Sequence, residues 1–311
     1  WNGLKAVNSE GIFFSPWQAE RLEQFFRRSR LRREPRHRGK VVEEDHQGVK
    51  RHLERVMAME WLSLGSLKRR RFRVAVDCCN GATSVALPNL LKELGCKVFE
   101  LFCAPGDGFP RGPEPVSENL TELGRVVSSE RAEIGFGIDP DGDRVSVVSE
   151  DGSPLGEEYT LAIATRFVLS KKRGRVVTNF STSRMVEDVA EDAGVELVRT
   201  RVGEAWVVQR MRELDALMGG EGNGGVILPQ VNYTRDSLVA VALILQQLLE
   251  SGGSMSELRD SIPRYYMAKR KVLCEPNRAE EILLSFADRL AGGKLDPVSY
   301  THLRAHETVL D

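Results

Sequence analysis

The sequence predicts an α/β protein in which two similar β/α domains follow one another, each a mixed sheet sandwiched between helices. Two observations support this fold class. From Arg71 onward, short apolar runs typical of buried strands alternate with segments of helical spacing. The alternation stops at the turn residues 151–154 and then begins again. The turn thereby divides this part of the chain into two units of about a hundred residues each, an ordinary domain size.

The segment before Arg71 is predicted to contain two helices. The run Ser15-Pro16-Trp17-Gln18 combines a cap hydroxyl, a proline at the first helical position and a glutamine at the third. Apolar residues at helical spacing over 49–57 mark the second helix.

The two β/α units are predicted in order. In the first unit we expect strands at 72–77, 97–102 and 133–138, and helices at 85–94 and 119–127. In the second we expect strands at 176–180, 195–200 and a short strand that runs into Gly219-Gly220-Glu221. The helices expected there are 157–171, 183–193, 204–214 and the long apolar segment 236–249.

Composition limits the partners of the chain. The 44 basic and 45 acidic residues leave a net charge of -1, so the chain lacks the positive field typical of nucleic-acid binders and membrane-surface proteins. No apolar run approaches the ~18 residues of a transmembrane helix. Five cysteines without a CxxC pair indicate a reducing, cytoplasmic setting. We expect a small-molecule partner, no nucleic acid and no membrane.

One basic segment departs from this balance. Eight of the fourteen residues 27–40 are Lys or Arg, and an acidic cluster follows at 43–45. A nucleic-acid patch is one interpretation. The neighbouring acids and the lack of interleaved aromatic residues favour a solvated loop or helix face.

Both ends of the chain differ from the rest. The sequence opens on Trp1-Asn2-Gly3 without Met, and we expect residues to be missing before it. Residues 298–308 are polar, have no helical or strand period and are similar to a translated sequencing adapter. We expect 297–311 to be a non-native tail, with a disordered native terminus as the alternative.

The most informative motif is the hexapeptide Asp139-Pro140-Asp141-Gly142-Asp143-Arg144, which follows a predicted strand. Its three carboxylates can converge on one hard cation if the backbone curls, which the proline and the glycine favour. Open α/β sheets also bind ligands beyond the carboxyl ends of their strands. We therefore predict that Asp139, Asp141 and Asp143 bind Mg²⁺, with Arg144 beside them to neutralise charge in phosphoryl transfer.

Two other interpretations of this hexapeptide are less consistent with the sequence. In a calcium-binding EF-hand, Glu150 would be the twelfth position, but the sixth is Arg144 where a glycine is usual. The residues after the hexapeptide are also strand-like rather than helical. A plain Asp-Gly surface turn leaves three acids followed by an arginine unexplained.

A second candidate site is the glycine-rich run Gly219-Gly220-Glu221-Gly222-Asn223-Gly224-Gly225. Its five glycines let the backbone approach a ligand, while Glu221 and Asn223 offer groups that recognise vicinal hydroxyls. Arg201 and Gly203, in another strand-to-helix loop, are expected at the same sheet edge. We predict a sugar pocket; an ordinary glycine-rich turn between strands is the alternative.

With these loops the chain resembles the alpha-D-phosphohexomutase superfamily, from Trp1 to about Asp296. The loop at 139–144 matches the magnesium loop of that family without a departure. Residues 220–225 are similar to its sugar-binding loop, which many members write Gly-Glu-x-Ser-Gly-His. Here Asn223 replaces the serine and Gly225 replaces the histidine. Lys5 lies where the family has a lysine linked to proton transfer.

The resemblance implies a Mg²⁺-dependent isomerase. Such an enzyme transfers phosphate between the 1- and 6-positions of a glucosamine, mannose or glucose phosphate, through a phosphoserine and a bisphosphate. By resemblance, Lys5 and Arg144 are catalytic, and the hexose phosphate is bound by Glu221, Asn223, Gly203 and Arg201. An ordinary exposed lysine is the alternative for Lys5. A non-catalytic sugar-phosphate or nucleic-acid binding module is the alternative for the whole chain.

The resemblance also implies a domain division. Two motifs of the four-domain family are absent from this sequence: the Ser-His-Asn-Pro stretch with the catalytic serine, and the Arg-x-Ser-Gly-Thr phosphate loop. We therefore expect a fragment that is inactive by itself. Its expected parts are the end of domain 1 (1–70), the metal-binding domain 2 (71–154), the sugar-binding domain 3 (155–266) and the start of a truncated domain 4 (267–296).

Overall fold

A computed structural model describes residues 5–28, 47–106, 108–266 and 278 of the protein. The predictions for most of the basic segment, for the truncated domain 4 and for the tail at 297–311 lie outside the described residues, apart from Arg278. None of the helices in the described ranges is long and apolar enough to cross a membrane.

Helices precede the first sheet. They are α1 (Pro16–Arg28), α2 (Gln47–Met57) and α3 (Leu64–Arg70). The predicted cap of α1 is confirmed: Ser15 N donates to Gln18 Oε1 at 2.9 Å, and Gln18 N donates to Ser15 Oγ at 3.3 Å. The sequence pattern does not predict α3, because a seven-residue helix with three basic residues in its last turn shows little apolar period.

The first unit contains one four-stranded sheet in the described residues. Its strands are β1 (Arg73–Asp77), β2 (Lys97–Leu101), β3 (Ile134–Ile138) and β4 (Val145–Ser149). Its helices are α4 (Ala86–Glu93) and α5 (Thr121–Glu130), and a 3₁₀ turn (Ser117–Leu120) precedes α5. The predicted strands and helices of this unit are confirmed within a few residues at their ends.

The second unit repeats the pattern. Its strands are β5 (Val176–Asn179), β6 (Leu197–Thr200), β7 (Met218–Glu221) and β8 (Gly225–Ile227). Its helices are α6 (Glu158–Lys171), α7 (Met185–Asp192), α8 (Glu204–Leu214), α9 (Ser237–Ser251) and α10 (Met255–Asp260). The sequence pattern misses β8, which has three residues, and α10, although Ser254 and Glu257 form a capping box that could have signalled α10.

The two sheets have the same topology. The strand orders are β2-β1-β3-β4 and β6-β5-β7-β8. In each sheet the first three strands are parallel and the last is antiparallel to its neighbour. The predicted fold class, tandem β/α domains with mixed sheets, is confirmed. Because β3 and β4 are antiparallel neighbours, the acidic hexapeptide is a tight connection between them rather than an EF-hand loop between helices.

Helices α6 and α9 connect the two units. Both are buried over most of their length, consistent with the apolar character of α9 on all sides. Helix α6 packs against α9 and contacts β4 of the first sheet as well as β7 and β8 of the second. One continuous hydrophobic core therefore runs through both units, and it holds the acidic loop close to the glycine-rich loop.

Candidate functional site

The acidic loop 139–144 curls into a compact turn between β3 and β4. Asp139 N donates to Arg144 O at 3.2 Å, and Gly142 N donates to Asp139 O at 3.1 Å. Gly142 takes a φ of 78°, a left-handed conformation that favours glycine. This turn brings one carboxylate oxygen of each of Asp139, Asp141 and Asp143 within 4.8 Å of the others.

Neighbouring segments support the acidic loop from both sides. Ala82 N, in the connection after β1, donates to Pro140 O at 2.8 Å. Ser237, the first residue of α9, donates its Oγ to Gly142 O at 2.7 Å. The loop is therefore held in place by both units. It differs in this from a plain surface turn.

Two predicted catalytic residues lie against these carboxylates. Arg144 Nε donates to Asp139 Oδ2 at 2.8 Å. Lys5 Nζ lies 2.5 Å from Asp141 Oδ2 and 2.9 Å from Asp143 Oδ2. The fold thus brings Lys5 to the acidic loop across more than 130 residues of sequence.

Burial and charge separate the pKa values of the two buried aspartates. Burial, and then the neighbouring Asp143, raise the pKa of Asp139 to about 7. Burial acts in the same direction on Asp143, but Arg235 and Lys5 outweigh it and lower the pKa of Asp143 to about 2. The neighbouring cations therefore compensate the charge of Asp143 more fully than that of Asp139.

The donor set fits a divalent cation. Carboxylate oxygens are the hard ligands that Mg²⁺ prefers. Asp143 Oδ1 is buried and has no hydrogen-bond donor among the described residues, with Arg144 Nε at 3.4 Å. Within the network of Asp139, Asp141, Asp143, Glu204 and Glu221, five carboxylates face three cations. When all five carboxylates are ionised, including Asp139 with its raised pKa, two negative charges remain, which equal the charge of one divalent ion.

The glycine-rich loop joins β7 to β8, and its Glu221 is buried. Glu221 Oε1 accepts from Asn179 Nδ2 at 2.6 Å and from Gly203 N at 3.0 Å. Glu221 Oε2 lies 2.9 Å from Arg235 Nη1. A carboxylate offers about four lone-pair sites, so these donors leave about one for a further hydroxyl.

Asn223 and Arg201 have different surroundings. Asn223 Oδ1 is buried and accepts no hydrogen bond from the described residues, so its acceptor capacity is unused there. Arg201 is not among the described residues that contact Glu221. Its guanidinium lies 5.2 Å from the ring centroid of Trp206. The structure thus brings Gly203 to Glu221 and places Arg201 beside α8.

Sequence reasoning missed two residues that organise the site. Asn179 ends β5, and Arg235 lies just before α9, next to its cap residue. A polar residue at the carboxyl end of a predicted strand was a usable signal for Asn179. Arg235 carries no local signal, since its partners come from distant segments.

The acidic and glycine-rich loops are direct neighbours. Val145 N, at the start of β4, donates to Gly224 O at 3.1 Å. Arg235 contacts both loops, at Asp143 and at Glu221. The two candidate sites predicted from sequence therefore form one continuous site between the units.

Comparisons with known proteins match both units. Residues 50–152 match the model of the phosphoglucomutase/phosphomannomutase alpha/beta/alpha domain II, and residues 156–266 match that of domain III. A protein of Methanopyrus kandleri that carries the name probable phosphoglucosamine mutase is 35% identical over 292 residues, which cover 93% of this chain and 63% of the relative. The chain thus spans less than two thirds of the length of that relative.

Solved structures share the fold. A structure from Thermus thermophilus described as a phosphomannomutase superimposes with a TM-score of 0.73 at 24% identity, covering 82% of this chain and 57% of that one. The Aspergillus fumigatus N-acetylphosphoglucosamine mutase in complex with GlcNAc-6P and magnesium superimposes with a TM-score of 0.50 at 16% identity, covering 78% and 57%. At these identities the likeness concerns the fold.

Proposed function

The chain belongs to the alpha-D-phosphohexomutase superfamily, and from this premise we propose that it is the metal- and sugar-binding part of a hexose-phosphate mutase. The observation that carries the proposal is the juxtaposition of the acidic loop with the glycine-rich loop across Arg235. We propose 71–154 as the metal-binding domain and 155–266 as the sugar-binding domain. The reducing setting implied by the free thiols among the described cysteines supports a cytoplasmic location.

Asp139, Asp141 and Asp143 would hold Mg²⁺. Bound there, Mg²⁺ would neutralise the oxygens of a phosphoryl group during transfer from and to a phosphoserine. The magnesium in the Aspergillus fumigatus relative supports this assignment. Arg144, anchored through Nε on Asp139, would direct its terminal amino groups at the same phosphoryl oxygens.

Lys5, Glu221 and Asn223 would act on the sugar. We assign Lys5, whose Nζ lies at the edge of the acidic loop, as the general acid or base for the reacting hydroxyl. Asn223 Oδ1 and the remaining acceptor site of Glu221 would recognise sugar hydroxyls, as supported by GlcNAc-6P in that relative. The proposed substrate class is thus a hexose phosphate in which the sugar is glucose, mannose or glucosamine.

Metal binding tests the first part of this proposal. Asp141 is half exposed, so Asp141→Asn removes a ligand charge with little effect on the fold. We expect isothermal titration with Mg²⁺ or Mn²⁺ to show affinity lower by about tenfold or more, as for lost metal-site contacts. Asp260→Asn is the matched control, because Asp260 is also exposed and paired with a basic side chain. Equal affinities for the wild type and Asp141→Asn would refute the metal site.

A turnover assay tests whether the chain is active by itself. These 311 residues contain neither the serine stretch nor the phosphate loop of the family, so we expect them to convert glucose-, mannose- and glucosamine-1-phosphate little or not at all. Conversion that Asp141→Ala abolishes would contradict this expectation. A salt-dependent affinity for RNA that maps to residues 27–38 would instead favour a nucleic-acid binding module.

A further inference from the structure

Arg235 is a buried cation with three buried anionic partners. Its side chain is 11% exposed. Nη2 lies 2.5 Å from Asp143 Oδ2, Nε lies 2.9 Å from Glu204 Oε2, and Nη1 lies 2.9 Å from Glu221 Oε2. Each nitrogen of the planar guanidinium therefore faces a different carboxylate.

The three carboxylates come from three separate segments. Asp143 belongs to the acidic loop of the first unit, Glu204 begins α8, and Glu221 belongs to the glycine-rich loop. Glu204 also accepts from the backbone N of Arg235 at 2.9 Å and from Thr234 Oγ1 at 2.7 Å. Arg235 is thus held at both its backbone and its guanidinium, and it cannot follow one partner without disturbing the others.

The aliphatic stem of Arg235 also lies on the glycine-rich loop. A Cβ added to Gly225 would fall well inside contact distance of Arg235 Cδ and Cγ. The side chain therefore contacts the loop at Gly225 as well as at Glu221. A displacement of the guanidinium moves atoms packed directly against this loop.

Removing a charge at one end of this arrangement has a physical consequence at the other. A buried ion pair that loses one partner leaves an uncompensated charge, which drives rearrangement of the remaining groups. If Asp143 is replaced by an uncharged residue, the guanidinium keeps ion pairs only with Glu204 and Glu221. The glycine-rich loop must then adjust, although it belongs to the other unit.

We propose that Arg235 is a positioning residue that couples the acidic loop to the glycine-rich loop, so that loss of the contact between Asp143 and Arg235 changes the order of residues 219–225. This inference deepens the proposed function and rests on it for its purpose: a ligand at the acidic loop would adjust the sugar-binding loop through one guanidinium. The backbone hydrogen bond from Val145 N to Gly224 O also joins the two loops, but it involves no side-chain charge, so we expect it not to transmit a change at Asp143.

Hydrogen–deuterium exchange on the full chain, without metal or sugar phosphate, tests the coupling. We expect Asp143→Asn to speed amide exchange in residues 219–225 by about fivefold, the lower end of ordinary site-to-site coupling. In the Arg235→Met background, we expect Asp143→Asn to add no further change. Arg235→Lys keeps the charge but cannot offer one nitrogen to each of three carboxylates, so we expect it to fold and to transmit less than half of the wild-type effect.

Arg199→Met is the matched control for loss of a partly buried arginine. Arg199 bonds to Asn179 O, Thr182 O and Glu187, all within the second unit. We expect this variant to lower stability and to keep the fivefold response to Asp143→Asn.

Two results would overturn the proposal: no response of residues 219–225 to Asp143→Asn, or an equal response with Arg235→Lys or Arg235→Met. If Arg235→Met does not fold, the comparison with Arg235→Lys decides. Because exchange is measured without ligands, a negative result leaves the mutase proposal standing, whereas loss of Mg²⁺ binding would refute the metal site and leave the exchange result intact.

Discussion

Gly225 and Arg235 constrain each other at the scale of single residues. The φ of Gly225 is not in the left-handed region, so its backbone conformation does not require glycine. Glycine is required there because the aliphatic stem of Arg235 approaches closely, and three ion pairs prevent that stem from moving aside. In this conformation, an arginine at 235 therefore excludes a side chain at 225. The histidine that many family members have at this position of the sugar-binding loop is one such side chain.

This constraint predicts opposite effects of two glycine substitutions. We expect Gly225→Ala to lower the free energy of unfolding by about 1–3 kcal/mol, the usual cost of overpacking. Gly48→Ala, in the first turn of α2, adds a Cβ that meets nothing within 4 Å. We expect it to raise the free energy of unfolding by roughly 0.5 kcal/mol. Urea denaturation measures both, and a neutral Gly225→Ala would contradict the close approach.

The first turn of α9 connects several elements. Asp236 caps the helix by accepting from Leu238 N and Val239 N. Its Oδ2 accepts from Asn232 Nδ2 at 2.8 Å and lies 2.9 Å from His52 Nε2 of α2. Arg235 and Ser237, on either side, contact the acidic loop. One helix terminus thus orients α2, the acidic loop and the glycine-rich loop together.

The His52–Asp236 pair predicts a pH dependence of stability. The hydrogen bond to Asp236 raises the pKa of His52 above 6.5, against the opposing effect of burial. The stabilisation is therefore complete below pH 6.5 and is lost as pH rises through the raised pKa. Because a third of the side chain is exposed, we expect a contribution of only about 1 kcal/mol.

Thermal unfolding at two pH values checks this prediction. We expect His52→Gln to lower Tm by about 2–4 °C at about pH 6 relative to the wild type, and by much less at about pH 9. Lys50→Gln, on the same helix, is the control, and its Tm difference should not change over this interval. A His52→Gln difference that is the same at both pH values would contradict the ion pair.

Among the described residues, the largest hydrophobic core of the molecule is continuous across both sheets. The core includes Phe136 of the first sheet, Val176 of the second and Phe167 of α6 between them. Cooperative unfolding follows from shared burial, because neither unit can expose its part of this core without uncovering the other. The site between the units therefore rests on packing that both units share.

This shared core predicts a single unfolding transition. We expect calorimetry to show one transition, and urea denaturation followed by far-UV circular dichroism and by tryptophan fluorescence to give coincident midpoints. Phe167→Ala should cost about 3–5 kcal/mol and shift both probes together. Two separate transitions, or a shift confined to one of the two probes, would contradict the shared core.

The sequence by itself determined the alternating elements and the acidic loop, since both depend on neighbours along the chain. Apolar periods place strands and helices, and three carboxylates within five residues converge as soon as the loop curls. Short elements such as α3 and β8 escaped this reasoning because they contain too few residues to show a period.

Only the tertiary structure decided which groups face these carboxylates. Arg235 meets Asp143 across 92 positions of sequence, and Lys5 meets it across 138. Whether Glu221 is free or already held by Asn179, Gly203 and Arg235 likewise depends on how two sheet edges pack. Charges and donors act through distance in space, and that distance is set by the packing of the two units around α6 and α9.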